Sequence, residues 1–133
     1  MTNIVWLLEE MLTAIHHRQI AEHGGSEGVR DEGLLSSALA RPQNLFAYGE
    51  PTPDLASLAA AYAYGIARNH PFIDGNKRTG FMLAATFLEI NGLQFTASEE
   101  SVVEATVALA AGAMTEAGYA DWLKANSRKP RKR

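Results

Sequence analysis

The sequence predicts an all-α domain, and three observations carry that expectation. Apolar residues recur at three- and four-residue spacings over most of the chain. Strand-like alternation is scarce, and only LQFTA at 93–97 reads as a short extended segment. Glycines, prolines and capping residues fall between the periodic runs, where helices should start and stop.

Taken in order, residues 4–23 place Ile4, Leu7, Leu8, Met11, Leu12, Ile15 and Ile20 on one helical face, and the glycines of HGGSEG end that helix. A second helix is expected over about 31–40, with Asp31 and Glu32 suited to its positive end and Pro42 just beyond its last turn. RPQNLFAYGEPTP, residues 41–53, sets three prolines and a glycine around three large apolar residues and reads as an irregular connection or flap, because proline removes a backbone donor. Asp54 caps a third helix through LASLAAAYAYGIARN, which should stop near Asn69 because Pro71 biases His70 away from helical dihedrals. KRTGFMLAATFLEING resumes the helical period, is apolar on most sides and therefore central, and ends at Asn91-Gly92. Two further helices are expected at about 99–111, opened by Thr96 or Ser98, and 115–126, capped by Thr115.

The 133 residues suit one domain, able to bury roughly 70% of its unfolded surface. Without cysteine there is neither a disulfide framework nor a thiolate metal site. The apolar run near the start carries Glu9 and Glu10 and has no basic residue ahead of it, unlike a signal peptide, and no stretch approaches the ~20 apolar residues of a bilayer span. A cytoplasmic protein without membrane attachment is expected. The net charge of −3 is uneven: five of the twelve basic residues lie at 128–133, which leaves residues 1–127 at −8. An acidic body binds duplex DNA poorly, so nucleic-acid contact is expected at most weakly, through a disordered basic tail at 127–133.

Polar chemistry concentrates in HPFIDGNKRTG, residues 70–80. A helix, an irregular turn and a second helix start follow one another there, and a helix N-terminus presents unpaired N–H groups and a positive dipole end that favour phosphate. Gly75 permits close approach to the backbone, while Lys77 and Arg78 put positive charge where the dipole opposes it unless an anion is bound. Asp74 offers the hard oxygen that Mg²⁺ prefers, and His70 can act as general base toward a hydroxyl. Singly, each has an ordinary reading: a histidine before proline caps or packs, Asp-Gly is a turn, and Lys and Arg near a helix start are solvated. Their coincidence within nine residues reads as a phosphate-transfer site. It is no Walker loop, since Asn76 precedes Lys77 and Arg78 separates it from Thr79. Phe72, Ile73 and Phe81 read as core, Trp6 and Trp122 as packing residues, and His16, His17 and His23 as structural or surface residues, since they lack metal-ligand spacing.

HPFIDGNKRTG resembles the signature of the Fic/Doc superfamily, His-x-Phe-x-(Asp/Glu)-Gly-Asn, a variable residue, then Arg. Lysine after the asparagine, and the run EHGGSEGVRDEGLLSSALARPQ at 22–43, resemble the Doc (death-on-curing) branch of toxin–antitoxin toxins. The resemblance covers residues 1–126. It implies a compact core of about six helices with an irregular flap, binding ATP and Mg²⁺. His70 would stand near the target hydroxyl, Phe72 would anchor the loop and Asp74 would hold Mg²⁺. Gly75, Asn76 and Lys77 would form the anion hole, Arg78 would hold the terminal phosphates, and the segment from Gln43 to Gly49, with Asn44, Leu45 and Phe46, would be the substrate flap.

The AMP-transferring Fic pattern has glycine where this chain has Lys77 and a second arginine where it has Phe81. In Doc-like proteins the lysine accompanies an inverted ATP and γ-phosphoryl transfer, so the resemblance implies a serine/threonine protein kinase. Its target in that branch is a threonine of elongation factor Tu, whose phosphorylation arrests translation. AMP transfer and a catalytically silent binding module stay open as alternatives. No inhibitory (Ser/Thr)-x-x-x-Glu-(Gly/Asn) helix is recognisable, since Thr96 is followed at the last position by Ser101 and Glu27 lacks a hydroxyl residue four before it. Control would come from an antitoxin acting in trans.

Overall fold

A computed structural model of the chain describes residues 3–130. Six helices occur among the described residues: α1 (Glu9–His23), α2 (Glu32–Tyr48), α3 (Leu55–Asn69), α4 (Asn76–Ile90), α5 (Glu99–Ala111) and α6 (Glu116–Ala125). β1 (Gln94–Phe95) pairs antiparallel with β2 (Ser127–Arg128), so LQFTA contributes the extended segment its sequence suggests, and the first two residues of the basic segment are hydrogen-bonded to the body. Residues 131–133 lie outside the described residues. No described helix is long and apolar enough to cross a membrane.

The centre is α3 rather than α4. Its alanines and Leu58, Tyr62, Gly65 and Ile66 are buried, and α2, α4, α5 and α6 all pack on it. Small side chains explain this, because an alanine-rich helix lets several neighbours approach at once. A Cβ on Gly65 would stand 3.0 Å from Ala38 Cβ of α2, and one on Gly80 would stand 3.0 Å from the Ala63 carbonyl oxygen. The longer side chains of α4 fill the space from one side, with Leu83, Phe87 and Leu88 buried and Lys77, Arg78, Glu89 and Ile90 exposed.

Two boundaries differ from the sequence expectation. The first helix begins at Glu9, not residue 4, because the backbone ahead of it is held by distant side chains. Asn91, at the end of α4, accepts from Val5 N–H at 2.8 Å and donates to the Val5 carbonyl at 2.9 Å, while the Tyr62 hydroxyl accepts from Leu7 N–H at 3.1 Å. Leu7 is thereby buried and Trp6 stacks on Phe87.

The second helix does not stop before Pro42 but runs through it to Tyr48. Gln43, Asn44, Leu45 and Phe46, expected in an irregular flap, are helical, and the irregular connection shrinks to residues 49–54. Proline there forfeits the bond to the Ala38 carbonyl. Packing offsets that loss: Pro42 is buried, and Phe46 meets Trp6 edge-on at 5.8 Å between ring centroids. Asp31, Asp54, Ser98 and Thr115 cap their helices, each accepting a backbone N–H three residues on.

Candidate active site at the junction of α3 and α4

α3 ends in His70, whose dihedrals (φ 50°, ψ 56°) are left-handed, an uncommon state for a residue with a Cβ. Its surroundings hold it there. Arg30 donates from Nε to the His70 carbonyl at 2.7 Å and from Nη2 to the Asn69 carbonyl at 2.8 Å, taking up the free carbonyls of the helix end. The Pro71 carbonyl accepts from the N–H groups of Arg30 and Asp31, and the Gly28 carbonyl from Ile73 N–H, so residues 28–31 pair with 71–73 as a short antiparallel bridge. Phe72 is buried beneath, its ring parallel to that of His16 at 3.7 Å.

The next turn closes on Asn76. Its Oδ1 accepts from Phe72 N–H at 3.0 Å and its Nδ2 donates to the Phe72 carbonyl at 2.9 Å, so this buried side chain ties the loop shut. Gly75, at φ 80°, serves as the N-cap of α4 in a conformation that glycine adopts without strain. Thr79 N–H is the first of the helix to find a carbonyl, that of Gly75 at 2.9 Å. The N–H groups of Gly75, Asn76, Lys77 and Arg78 have no hydrogen-bond partner among the described residues.

These free donors border a cavity of about 360 Å³ lined by Asp74, Gly75, Lys77, Arg78 and Phe81 on one side and by Val102, Val103, Thr106 and Val107 of α5 on the other. Lys77 and Arg78 are exposed and pair with no carboxylate among the described residues. Asp74 Oδ2 accepts from Ser26 N–H at 2.9 Å, and its Oδ1 has no protein partner among the described residues. A helix N-terminus with four idle donors, two unpaired cations and an apolar far wall is chemically suited to a molecule that is anionic at one end and flat and apolar at the other.

The Fic/DOC family model matches residues 6–88. The protein named "Protein kinase doc" of Escherichia phage P1 is 38% identical over 115 residues, which cover 86% of this chain and 90% of that protein. The chain belongs to the Fic/DOC family. "Toxin Doc" of Mycolicibacterium smegmatis is 50% identical over 74 residues, or 56% of this chain, and the match spans only 57% of that toxin's length.

Within this Fic/DOC loop, Asp74, Gly75, Asn76, Lys77 and Arg78 come together at one cavity, whereas His70 is exposed and stands outside its lining. The Asn76 side chain is spent on loop closure, which leaves only its N–H for a ligand. Ile73, expected in the core, is exposed, and Phe81 is half-buried in the cavity wall. Gln43 does not line the neighbouring groove of about 480 Å³, but Asn44, Leu45 and Tyr48 do, opposite Tyr64 and Asn69. Sequence reasoning passed over Arg30 and Ser26, and it read His16 only as a structural or surface residue without linking it to the loop. Nothing in their local spacing marks them, because each acts on a segment 39–58 positions away.

Proposed function

We propose that the chain is a Doc-type toxin: a protein kinase that transfers the γ-phosphoryl group of ATP to a serine or threonine hydroxyl of a translation factor, elongation factor Tu being the first target to test. The observation that carries the reading is Lys77, on the first turn of α4 between Asn76 and Arg78, at a cavity whose wall has Phe81 where the AMP-transferring pattern has its second arginine. A lysine side chain crowds the anion hole against the ATP pose used for AMP transfer, and Phe81 offers no phosphate contact.

In this mechanism the free N–H groups of Gly75 to Arg78, with the Lys77 and Arg78 side chains, hold the phosphates and stabilise charge as it spreads over the transferring group. The chemistry of Asp74 fits Mg²⁺: one hard oxygen is unpartnered, and Mg²⁺ usually takes one or two carboxylates with phosphate and water oxygens completing its shell. When bound, the ion would neutralise phosphate charge. His70, whose main chain Arg30 fixes, accepts the proton of the target hydroxyl as its oxygen bonds to the γ-phosphorus and the bond to the bridging oxygen breaks, releasing ADP. The substrate segment lies along the groove between α2 and α3, near Asn44, Leu45 and Tyr48. An antitoxin acting in trans supplies the control, and the cytoplasm is the compartment of both.

The test incubates the purified chain with Mg²⁺, ATP and elongation factor Tu and reads the intact mass of the target. A phosphate increment, abolished by His70→Ala and by Asp74→Ala, is the expected result. An AMP increment would overturn the inference from Lys77 and Phe81. Equal toxicity of both variants and the wild type would remove the catalytic reading.

A further inference from the structure

His16 lies in the middle of α1, where a histidine is ordinarily solvated, yet only 4% of its surface is exposed. Two contacts account for its burial. Its ring stacks on Phe72 at an interplanar angle of 6°, and its Nε2 lies 2.7 Å from the main-chain oxygen of Asp74, 58 residues away. A carbonyl oxygen can only accept, so Nε2 carries the proton.

That carbonyl belongs to the peptide unit joining Asp74 to Gly75. In a planar trans peptide the C=O and N–H point in opposite directions. With the Asp74 oxygen drawn toward α1, the Gly75 N–H, first of the four idle donors, is turned the other way. Gly75 lines the cavity and His16 does not. The anchoring is tight on this side: a Cβ on Gly75 would stand 3.7 Å from the His16 ring and 3.2 Å from Ile20 Cδ1. Gly75 at φ 80° is the one residue of the cradle whose backbone is free to swing, so a peptide held only by covalent geometry would be the weak point of the anion hole.

We propose that His16 is a positioning residue of the anion cradle: its Nε2–H holds the Asp74–Gly75 peptide so that the Gly75 N–H faces the phosphate and the Asp74 carboxylate stays at the cavity. This deepens the nucleotide-binding reading above and rests on it. His16 touches no substrate and acts through the peptide it holds.

Two variants separate hydrogen bond from ring. His16→Phe keeps a stacking ring and removes the donor, while His16→Gln keeps an N–H donor at a similar reach and removes the ring. Binding of Mn²⁺·ATP is measured by water proton relaxation, and the ¹⁵N–¹H shifts of Gly75 to Arg78 are recorded without ligand. His16→Phe is expected to weaken Mn²⁺·ATP about tenfold or more and to move the Gly75 amide resonance, with a melting temperature close to wild type, whereas His16→Gln stays within about threefold. If His16→Phe does not fold, His16→Met fills the same space without a donor. Donor-free variants that bind Mn²⁺·ATP like wild type and leave the Gly75 amide unmoved would overturn the proposal. Wild type that fails to bind Mn²⁺·ATP would instead sink the nucleotide reading, and the ligand-free Gly75 shift would still decide the role of His16.

Discussion

Arg30 grips His70 by its main chain, with Nε donating to the His70 carbonyl at 2.7 Å while Nη2 reaches the Asn69 carbonyl at 2.8 Å. Forty positions separate Arg30 and His70 in the chain, and the fork holds the histidine in its left-handed conformation. Arg30→Ala is expected to lower phosphoryl transfer about 10- to 100-fold with little change in ATP affinity, and to cost about 1–2 kcal/mol of stability, the low end for charge-assisted bonds because the side chain is exposed. Arg30→Lys should fall between, since an ammonium cannot offer a planar fork. Steady-state kinetics and chemical denaturation check both, and an unchanged turnover in Arg30→Ala would discount the positioning role.

Asn76 makes a sharper test of the loop. In Asn76→Asp one carboxylate oxygen can still accept from Phe72 N–H, but the other faces the Phe72 carbonyl without a proton to share. About 2 kcal/mol of destabilisation is expected, the scale of an unsatisfied buried polar group, with nucleotide binding lost at the same time. Denaturant titration and nucleotide titration on one preparation would show whether the two losses travel together.

Close approach of α2 and α3 predicts that Gly65→Ala destabilises. The added Cβ would lie 3.0 Å from Ala38 Cβ and 3.2 Å from its Cα, and backbone cannot yield as a flexible side-chain tip can. Overpacking of about 1–3 kcal/mol outweighs the gain of up to about 1 kcal/mol in helix propensity. A melting temperature equal to or above wild type would show that the helices part more easily than their packing implies.

At the alkaline end, burial pushes the Tyr119 hydroxyl up to about 12, against a smaller opposing effect of the neighbouring Thr106 hydroxyl, which does not reach hydrogen-bond geometry. The folded value lies above the ordinary value of 10.0, so the stability is fully present below pH 10 and declines as pH rises toward 12. The loss should reach about 2–3 kcal/mol. Tyr119→Phe is expected to keep neutral-pH stability and to flatten that decline when unfolding is followed from pH 9 to 12.

At the acid end, Asp54 caps α3. Burial by itself would raise its carboxyl, but the hydrogen bonds from Ser57 and from Lys124, with the charge of Lys124, outweigh it and bring the value below the ordinary 3.8. A depressed folded value means that the stability is present above pH 3.8 and is lost as pH falls through the lower folded value. Asp54→Ala should therefore cost about 1 kcal/mol at neutral pH, the usual worth of a cap, and much less in strong acid. A deficit that does not shrink on acidification would assign the cap to geometry without charge.

The all-α class, ten of the twelve helix starts and stops and the Fic/DOC loop are legible in the sequence, because each depends on residues within a few positions of one another. Asp54, Ser98 and Thr115 cap the turn that follows them, and HPFIDGNKRTG carries its donors, carboxylate and cations on one short stretch. What the sequence could not decide are the relationships across long chain separations. Packing of Phe46 against Trp6 and of Leu45 against the core lets α2 run through Pro42, where local rules stop it. Asn91 and Tyr62 draw residues 5–7 out of a helix their spacing favours. Only folding brings His16, read from the sequence as a structural or surface residue, and Arg30 against the loop, because a backbone carbonyl 40 or 58 residues away leaves no periodic trace in the sequence. Local spacing determined which atoms could bind a phosphate, and only tertiary packing decided where they are held.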